Sequence, residues 1–427
     1  MLLVLASILL IVVQVPQHHT VSPIDEYVYI DAVDKVPQEL AVRRGQEVND
    51  YARHYLACHG VRAIGFYPEA MCRDNKLADS LYPNGGYTTA DIYTPLYFAT
   101  TWLLSQPLLW AGVPNLVDAG RLTGALWLAL AAVLLFAALR RLSVNRWISI
   151  GAALAVIGSI SAYSSNTYIS TDATALFAGS LMVFLLARRP NPTLRSGLPI
   201  AIAAIVVTLL KVQNYAAVVV VVVFLIFRAT VDLLASRRRG ENIPRQLFLG
   251  TLPLAAVTAV LPLLAQAGWL VIRNVIAAGP SPDQGVAAPL GKSALVSEVF
   301  KFLPGAIEGG LPPESLGPIG VFIAGTGKLL VVGGVIGALV AARRGSQTES
   351  FAGATLFASL AMGPVLAVVT AVTAGYYFVL PSRYGISLIP AYLVCLVLLV
   401  RNKRGAIWVA PLCGVVLFIA TLALHEG

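Results

Sequence analysis

The sequence predicts an all-α polytopic membrane protein of about eleven transmembrane helices, with a large extracytoplasmic first loop containing juxtamembrane helices. Three observations predict it. Hydrophobic residues make up 57% of the 427 and charged residues only 12%, with a mean hydropathy of +0.77, too apolar for a soluble domain of this length. Long apolar runs alternate with short clusters of arginine. Every cluster also falls on the same side of the map that the runs define.

Taken in order, the expected spans lie at about residues 1–17, 119–139, 147–163, 172–187, 197–213, 214–228, 247–272, 318–341, 351–374, 384–400 and 405–424, so that 1–427 reads as one integral membrane domain. The first run is short enough for a signal peptide. It has no basic leader and no Ala-x-Ala site, which favours a retained span. The loops fix the orientation. Arg140, Arg141 and Arg146, then Arg188, Arg189 and Arg195, then Arg228, Arg237, Arg238, Arg239 and Arg245, then Arg343 and Arg344, and finally Arg401, Lys403 and Arg404 hold sixteen of the 30 basic residues, against three acids, Asp232, Glu241 and Glu349. By the positive-inside rule this face is cytoplasmic and the protein is a multi-pass component of the cell membrane. The net charge of +9 is then a topology signal, and the nucleic-acid partner that a high pI would suggest in a soluble chain is rejected.

Two long connections, residues 18–118 and 274–317, fall on the opposite, outer side. Within the first, Pro37 to Ala57 carries Val42, Val48, Ala52 and Leu56 at helical spacing, which predicts an amphipathic surface helix. Residues 93–112 are nearly apolar enough to cross. Counting them would invert every later loop, so they are read as a juxtamembrane or re-entrant helix broken by Pro95 and Pro107 and anchored by Tyr93, Tyr97, Trp102 and Trp110. The second connection is rich in Gly and Pro, with a short helix expected between its two turn clusters. Cys58 and Cys72 could pair across the first connection, while Cys395 and Cys413 read as packing residues inside spans. His18 and His19 lack partners at ligand spacing, and no metal site is expected.

Sorted by face, the unusual polar residues gather outside. Asp25 and Glu26 leave the first span, Asn166 to Asp172 link the third and fourth, and Lys211, Gln213 and Asn214 link the fifth and sixth; Arg273 ends the seventh, and Arg383 and Tyr384 open the tenth. Acids beside isolated cations at one membrane level suit a transferase acting on a lipid-linked phosphate. A carboxylate takes the proton of an attacking hydroxyl, and Lys or Arg holds the leaving phosphate. Plainer readings stand beside this one. Asp172 would cap the helix that follows it, Lys211 would snorkel to the interface, and Asp31, Asp34, Glu39 and Glu47 would be solvated or paired with a neighbouring base.

The order of these stretches resembles the GT-C superfamily of polytopic glycosyltransferases, and within it the bacterial relatives of the protein O-mannosyltransferases. Ser22-Pro23-Ile24-Asp25-Glu26 is similar to the acidic motif after the first span, Tyr93-Thr94-Pro95-Leu96-Tyr97 to a Pro-Leu-Tyr juxtamembrane helix, and Gly120-Arg121-Leu122 to the start of the second span. Ser170-Thr171-Asp172-Ala173 resembles an Asn-Pro-Asp-Ala turn, departing from it in the first two residues, and Leu210-Lys211 with Ser382-Arg383-Tyr384 resembles later basic motifs. The resemblance implies sugar transfer from a polyprenyl-phosphate donor in the membrane to a glycan, lipid or protein acceptor of the cell envelope, on the extracytoplasmic face and without an added cofactor. Carried over by position, Asp25 is the catalytic base and Glu26 its partner. Lys211 and Arg383 meet the donor phosphate, with Tyr97, Arg121, Asn166, Asp172, Gln213, Arg273 and Tyr384 as further substrate-binding candidates. A flippase for a lipid-linked glycan is the competing expectation, although it should place charge at mid-span, where Lys328 is the main example. A non-catalytic scaffold, in which Asp25 is dispensable, is the third.

Overall fold

The computed structural model describes residues 1–61, 72, 79–189, 192–240 and 250–425. Arg245 and Glu241 lie outside the described residues. Among those described, seventeen α-helices follow one another without a β-strand, and the only ladder contacts are two isolated bridges, Glu47 with Tyr87 and Ala288 with Tyr377. In order they are α1 (Leu2–Gln14), α2 (Glu26–Lys35), α3 (Asp50–His59), α4 (Pro95–Trp110), α5 (Leu116–Leu122), α6 (Gly124–Arg141), α7 (Arg146–Ile157), α8 (Ile160–Asn166), α9 (Ala173–Arg188), α10 (Leu194–Leu210), α11 (Tyr215–Arg238), α12 (Leu252–Val275), α13 (Lys292–Val299), α14 (Gly317–Ala341), α15 (Gln347–Ala374), α16 (Ile389–Val400) and α17 (Ala406–Leu422).

Six helical stretches are long and apolar enough to cross a bilayer, and the bent pair α7 and α8, which turn by 51°, makes a seventh. This is the architecture of a polytopic membrane protein. Four shorter apolar helices, Leu2–Gln17, Ala173–Arg188, Leu194–Leu210 and Ala406–Leu422, occupy the other positions where the sequence places spans. Large apolar side chains such as Leu5, Leu264, Leu329, Val372 and Trp408 cover the outside of the bundle, as a lipid-facing surface requires.

Small residues let the helices meet. α7 and α17 approach so closely that a Cβ on Gly158 would lie 2.5 Å from the Phe418 nitrogen, and one on Gly179 of α9 would lie 2.2 Å from the Ser387 oxygen. Close backbone approach at small residues is the usual packing device where lipid removes the hydrophobic drive between helices. Arginine-bearing turns meet in pairs. Arg401 donates to the Leu142 carbonyl at 3.3 Å and Arg228 to the Gly345 carbonyl at 2.8 Å, tying turns far apart in sequence.

A second apolar core forms where the first long connection packs on the end of the bundle marked by the start of α9 and the finish of α10, with Tyr29, Leu56, Tyr97 and Phe98 against Ile169, Ala173 and Leu210. Here the expected amphipathic helix is corrected. Residues from Pro37 to Val48 form turns, with Gly45 at φ +72°, and the helix starts only at Asp50, where the Asn49 side chain accepts from the Ala52 N–H. Val42 and Val48 are buried as foreseen, but from a loop. Instead, α2 supplies the helix next to the first span, and α4 lies against α2 and α5. α13 is the short helix expected in the second connection. Cys58 and Cys72 are joined as a disulfide.

Candidate functional site

Four chain turns at this end each contribute one charged side chain. Asp25 is the residue before α2, held in a left-handed conformation at φ 58°, which Asp tolerates better than most residues but which still costs free energy. Asp172 closes the α8–α9 turn. Its N–H donates to the Ser170 hydroxyl at 3.1 Å, and its side chain makes no helix cap. Lys211 ends α10 in an extended conformation, its carbonyl accepting from the Asn214 N–H at 2.9 Å. Arg383 sits in the 3₁₀ turn Ser382–Leu388 that leads into α16.

These four form a chain of ion pairs. Arg383 Nη2 lies 2.9 Å from Asp25 Oδ2, Arg383 Nε lies 3.5 Å from Asp172 Oδ2, and Lys211 Nζ lies 2.5 Å from Asp172 Oδ1. Exposure falls along the chain, from 42% for the Asp25 side chain and 17% for Arg383 to 4% for Asp172 and 1% for Lys211. Lys211 therefore does not snorkel and Asp172 does not cap; each neutralises the other in the interior, where an unpaired charge would be expensive. Aromatic rings close the sides. Lys211 Nζ is 5.9 Å from the Tyr93 ring centre and 5.5 Å from that of Tyr384, and Arg383 lies 5.7 Å from Tyr384. Tyr29 donates to the Tyr93 hydroxyl at 3.3 Å. Enclosure together with the neighbouring Asp25 carboxylate pushes the Tyr93 phenol up to about 12, so it keeps its proton at neutral pH.

Glu26 belongs to a separate, fully buried clamp. Arg121 grips it bidentately, Nε to Oε1 and Nη2 to Oε2, both at 2.8 Å, and the Ser22 and Ile169 N–H groups donate to the same carboxylate at 2.8 and 3.0 Å. Two further guanidinium donors, on Nη1 and Nη2, go to the His18 and Thr20 carbonyls at 2.8 and 2.9 Å. Every strong acceptor position on Glu26 is thus occupied by the chain itself. The adjacency of Asp25 and Glu26 in sequence does not carry into space, because the left-handed turn at Asp25 sends the two carboxylates to different partners.

The remaining expected residues divide. Tyr97 accepts from the Ser170 N–H at 3.0 Å and so shapes the turn before Asp172. Asn166 donates to the Gly124 and Ala173 carbonyls and is wholly buried, fastening α6 to α9. Gln213 follows Lys211 by two residues, and its buried side-chain oxygen has no partner among the described residues. Arg273 pairs with Asp91 at 2.6 Å and with Ser281, tying the end of α12 to the first outer segment. Burial raises the Asp91 carboxyl above its usual range despite that arginine.

Three contributors went unassigned in the sequence reading. Tyr29 had no signal beyond its place in an apolar stretch, and Tyr93 was legible only as an anchor. His18, noted only as lacking metal-ligand partners, is buried between the Thr167 hydroxyl at 2.8 Å and the Tyr168 hydroxyl at 2.9 Å, stacked on the Tyr168 ring. Burial and the Arg121 charge hold its imidazole well below the usual range. No protein-family model, no curated protein and no solved structure matches this chain.

Proposed function

We propose that this protein is a membrane glycosyltransferase with eleven spans, working on the outer face of the cell membrane, which moves a sugar from a polyprenyl-phosphate donor to a cell-envelope acceptor. The observation that supports this most is the Asp25–Arg383 pair. A carboxylate at a strained backbone position is accessible while its counter-ion is backed by a second, buried acid and lysine.

In this reading Asp25 is the base that removes the acceptor hydroxyl proton, and Arg383 meets the donor phosphate as the sugar leaves. Asp172 and Lys211 hold Arg383 in place, since Lys211 is too enclosed to reach a substrate itself. Glu26 and Arg121 fix the turn that presents Asp25, and act as positioning residues. The lipid tail lies against the apolar flank of the bundle. The flippase reading is less well supported, because charge collects at one end; Lys328, in the middle of α14, is neutralised by Glu308.

The test is release of polyprenyl phosphate from a panel of polyprenyl-phosphate sugars by the purified protein in nanodiscs, with envelope extract as acceptor. Release is expected from the wild type, and Asp25→Asn should lose about 100- to 10,000-fold in rate. Failure of every donor, or unchanged release by Asp25→Asn, would overturn the proposal.

A further inference from the structure

A cavity of about 560 Å³ opens between the outer end of α1, α3 and α5, away from the Asp25–Arg383 pair. Its lining holds two kinds of side chain. Val12, Val15 and Leu122 are apolar, and Val12 belongs to the exposed face of α1 that continues through Leu5, Ile8 and Leu9. His59, Asn115 and Asp118 are polar. Asn115 donates to Asp118 Oδ2 at 2.7 Å, and His59 stacks on Tyr55 with ring centres 3.9 Å apart. His18 forms part of the wall, and its carbonyl is one of the acceptors that Arg121 grips while holding Glu26.

Among the described residues the lining has no lysine or arginine, and its one acid is Asp118. A phosphate head group would meet that carboxylate at close quarters. A polyol suits it better. A carboxylate and an amide side by side accept from and donate to neighbouring hydroxyls, the His59 Nε2 is left to accept because Nδ1 donates to the Tyr55 carbonyl at 2.9 Å, and a flat ring pair covers the apolar face of a sugar. The volume matches a small-ligand site, and Val12 in its lining is exposed on the outer surface of α1.

We propose that this cavity binds a membrane lipid with an uncharged, hydroxyl-rich head group, its tail lying along α1 and its head between His59, Asn115 and Asp118. The site is independent of the transfer reaction proposed above.

The experiment uses the full-length protein in nanodiscs doped with a photoactivatable glucosyl-diacylglycerol, and parallel preparations with photoactivatable phosphatidylglycerol and phosphatidylethanolamine. Mass spectrometry then locates the label. The glucosyl probe should mark peptides covering residues 12–19 and 113–122 in preference to both phospholipids. Asp118→Asn should cut that labelling about tenfold, through loss of a charge-assisted hydrogen bond. Val113→Trp, placed in the loop before α5 where it fills the cavity, should cut it as well. Equal labelling by all three lipids, preference for either phospholipid, or labelling untouched by both substitutions would overturn the proposal.

Discussion

Arg383 touches two acids, and only one of them is exposed. In the proposed reaction the accessible carboxylate is held by the cation proposed to meet the phosphate. A phosphate that takes Nη2 of Arg383 would displace Asp25, and in doing so would free it as a base. Removing the Asp25 charge should make that exchange easier. Asp25→Asn is expected to bind polyprenyl phosphate about tenfold more tightly than the wild type, and Arg383→Gln to lose binding, as measured by titration in nanodiscs. Weaker binding by Asp25→Asn would rule out the exchange. Glu26 should behave differently. Glu26→Gln leaves a buried guanidinium without its counter-charge, at a cost of about 3–5 kcal/mol, so it should depress thermal stability as well as activity. His18 adds a pH signature. Its folded pKa is lowered, so the unfolded chain binds the extra proton. The contribution is complete above the ordinary value of about 6.5 and drains away as pH falls below it. Melting temperature should drop between about pH 7 and pH 5.5, and more steeply than in His18→Gln. Which residues are polar at the outer face was legible in the sequence. The partners were not, since Asp25 meets Arg383 across 358 positions and Arg121 meets Glu26 across 95.

Between elements, the decisive contacts are close approaches at small residues. Gly158 faces the backbone of α17, so Gly158→Val should push α7 and α17 apart and cost about 1–3 kcal/mol by overpacking. Gly268 on α12 has open space where a Cβ would go, and Gly268→Val should leave the melting temperature close to that of the wild type. Equal melting of the two variants would show that the α7–α17 contact does not limit stability. Apolar runs are local signals, and they mark the six helical stretches that are long and apolar enough to cross a bilayer. The outer segments were harder to read. Val42, Val48, Ala52 and Leu56 have helical spacing, yet Gly45 is pressed against Gly279 and Asn49 starts the helix anew, so that tertiary contact overrides the pattern.

Across the whole molecule the arginines lie on short turns, whereas the ion-pair chain, the Glu26–Arg121 clamp, the disulfide and the second core are built from the other connections. The positive-inside rule predicts that the arginine turns are cytoplasmic, and labelling can check it. In a Cys413→Ser background, a membrane-impermeant thiol reagent applied to intact cells should modify Gln284→Cys and spare Arg238→Cys. The reverse pattern would invert the orientation and place Asp25 in the cytoplasm.

The central claim is that Asp25 performs chemistry on a donor held by Arg383. The most direct measurement is the single-turnover rate of Asp25→Asn with a polyprenyl-phosphate sugar already bound at saturation, so that affinity no longer enters. The expected result is a rate lower by about 100- to 10,000-fold with the donor still bound. Turnover at the wild-type rate by the loaded variant would contradict it.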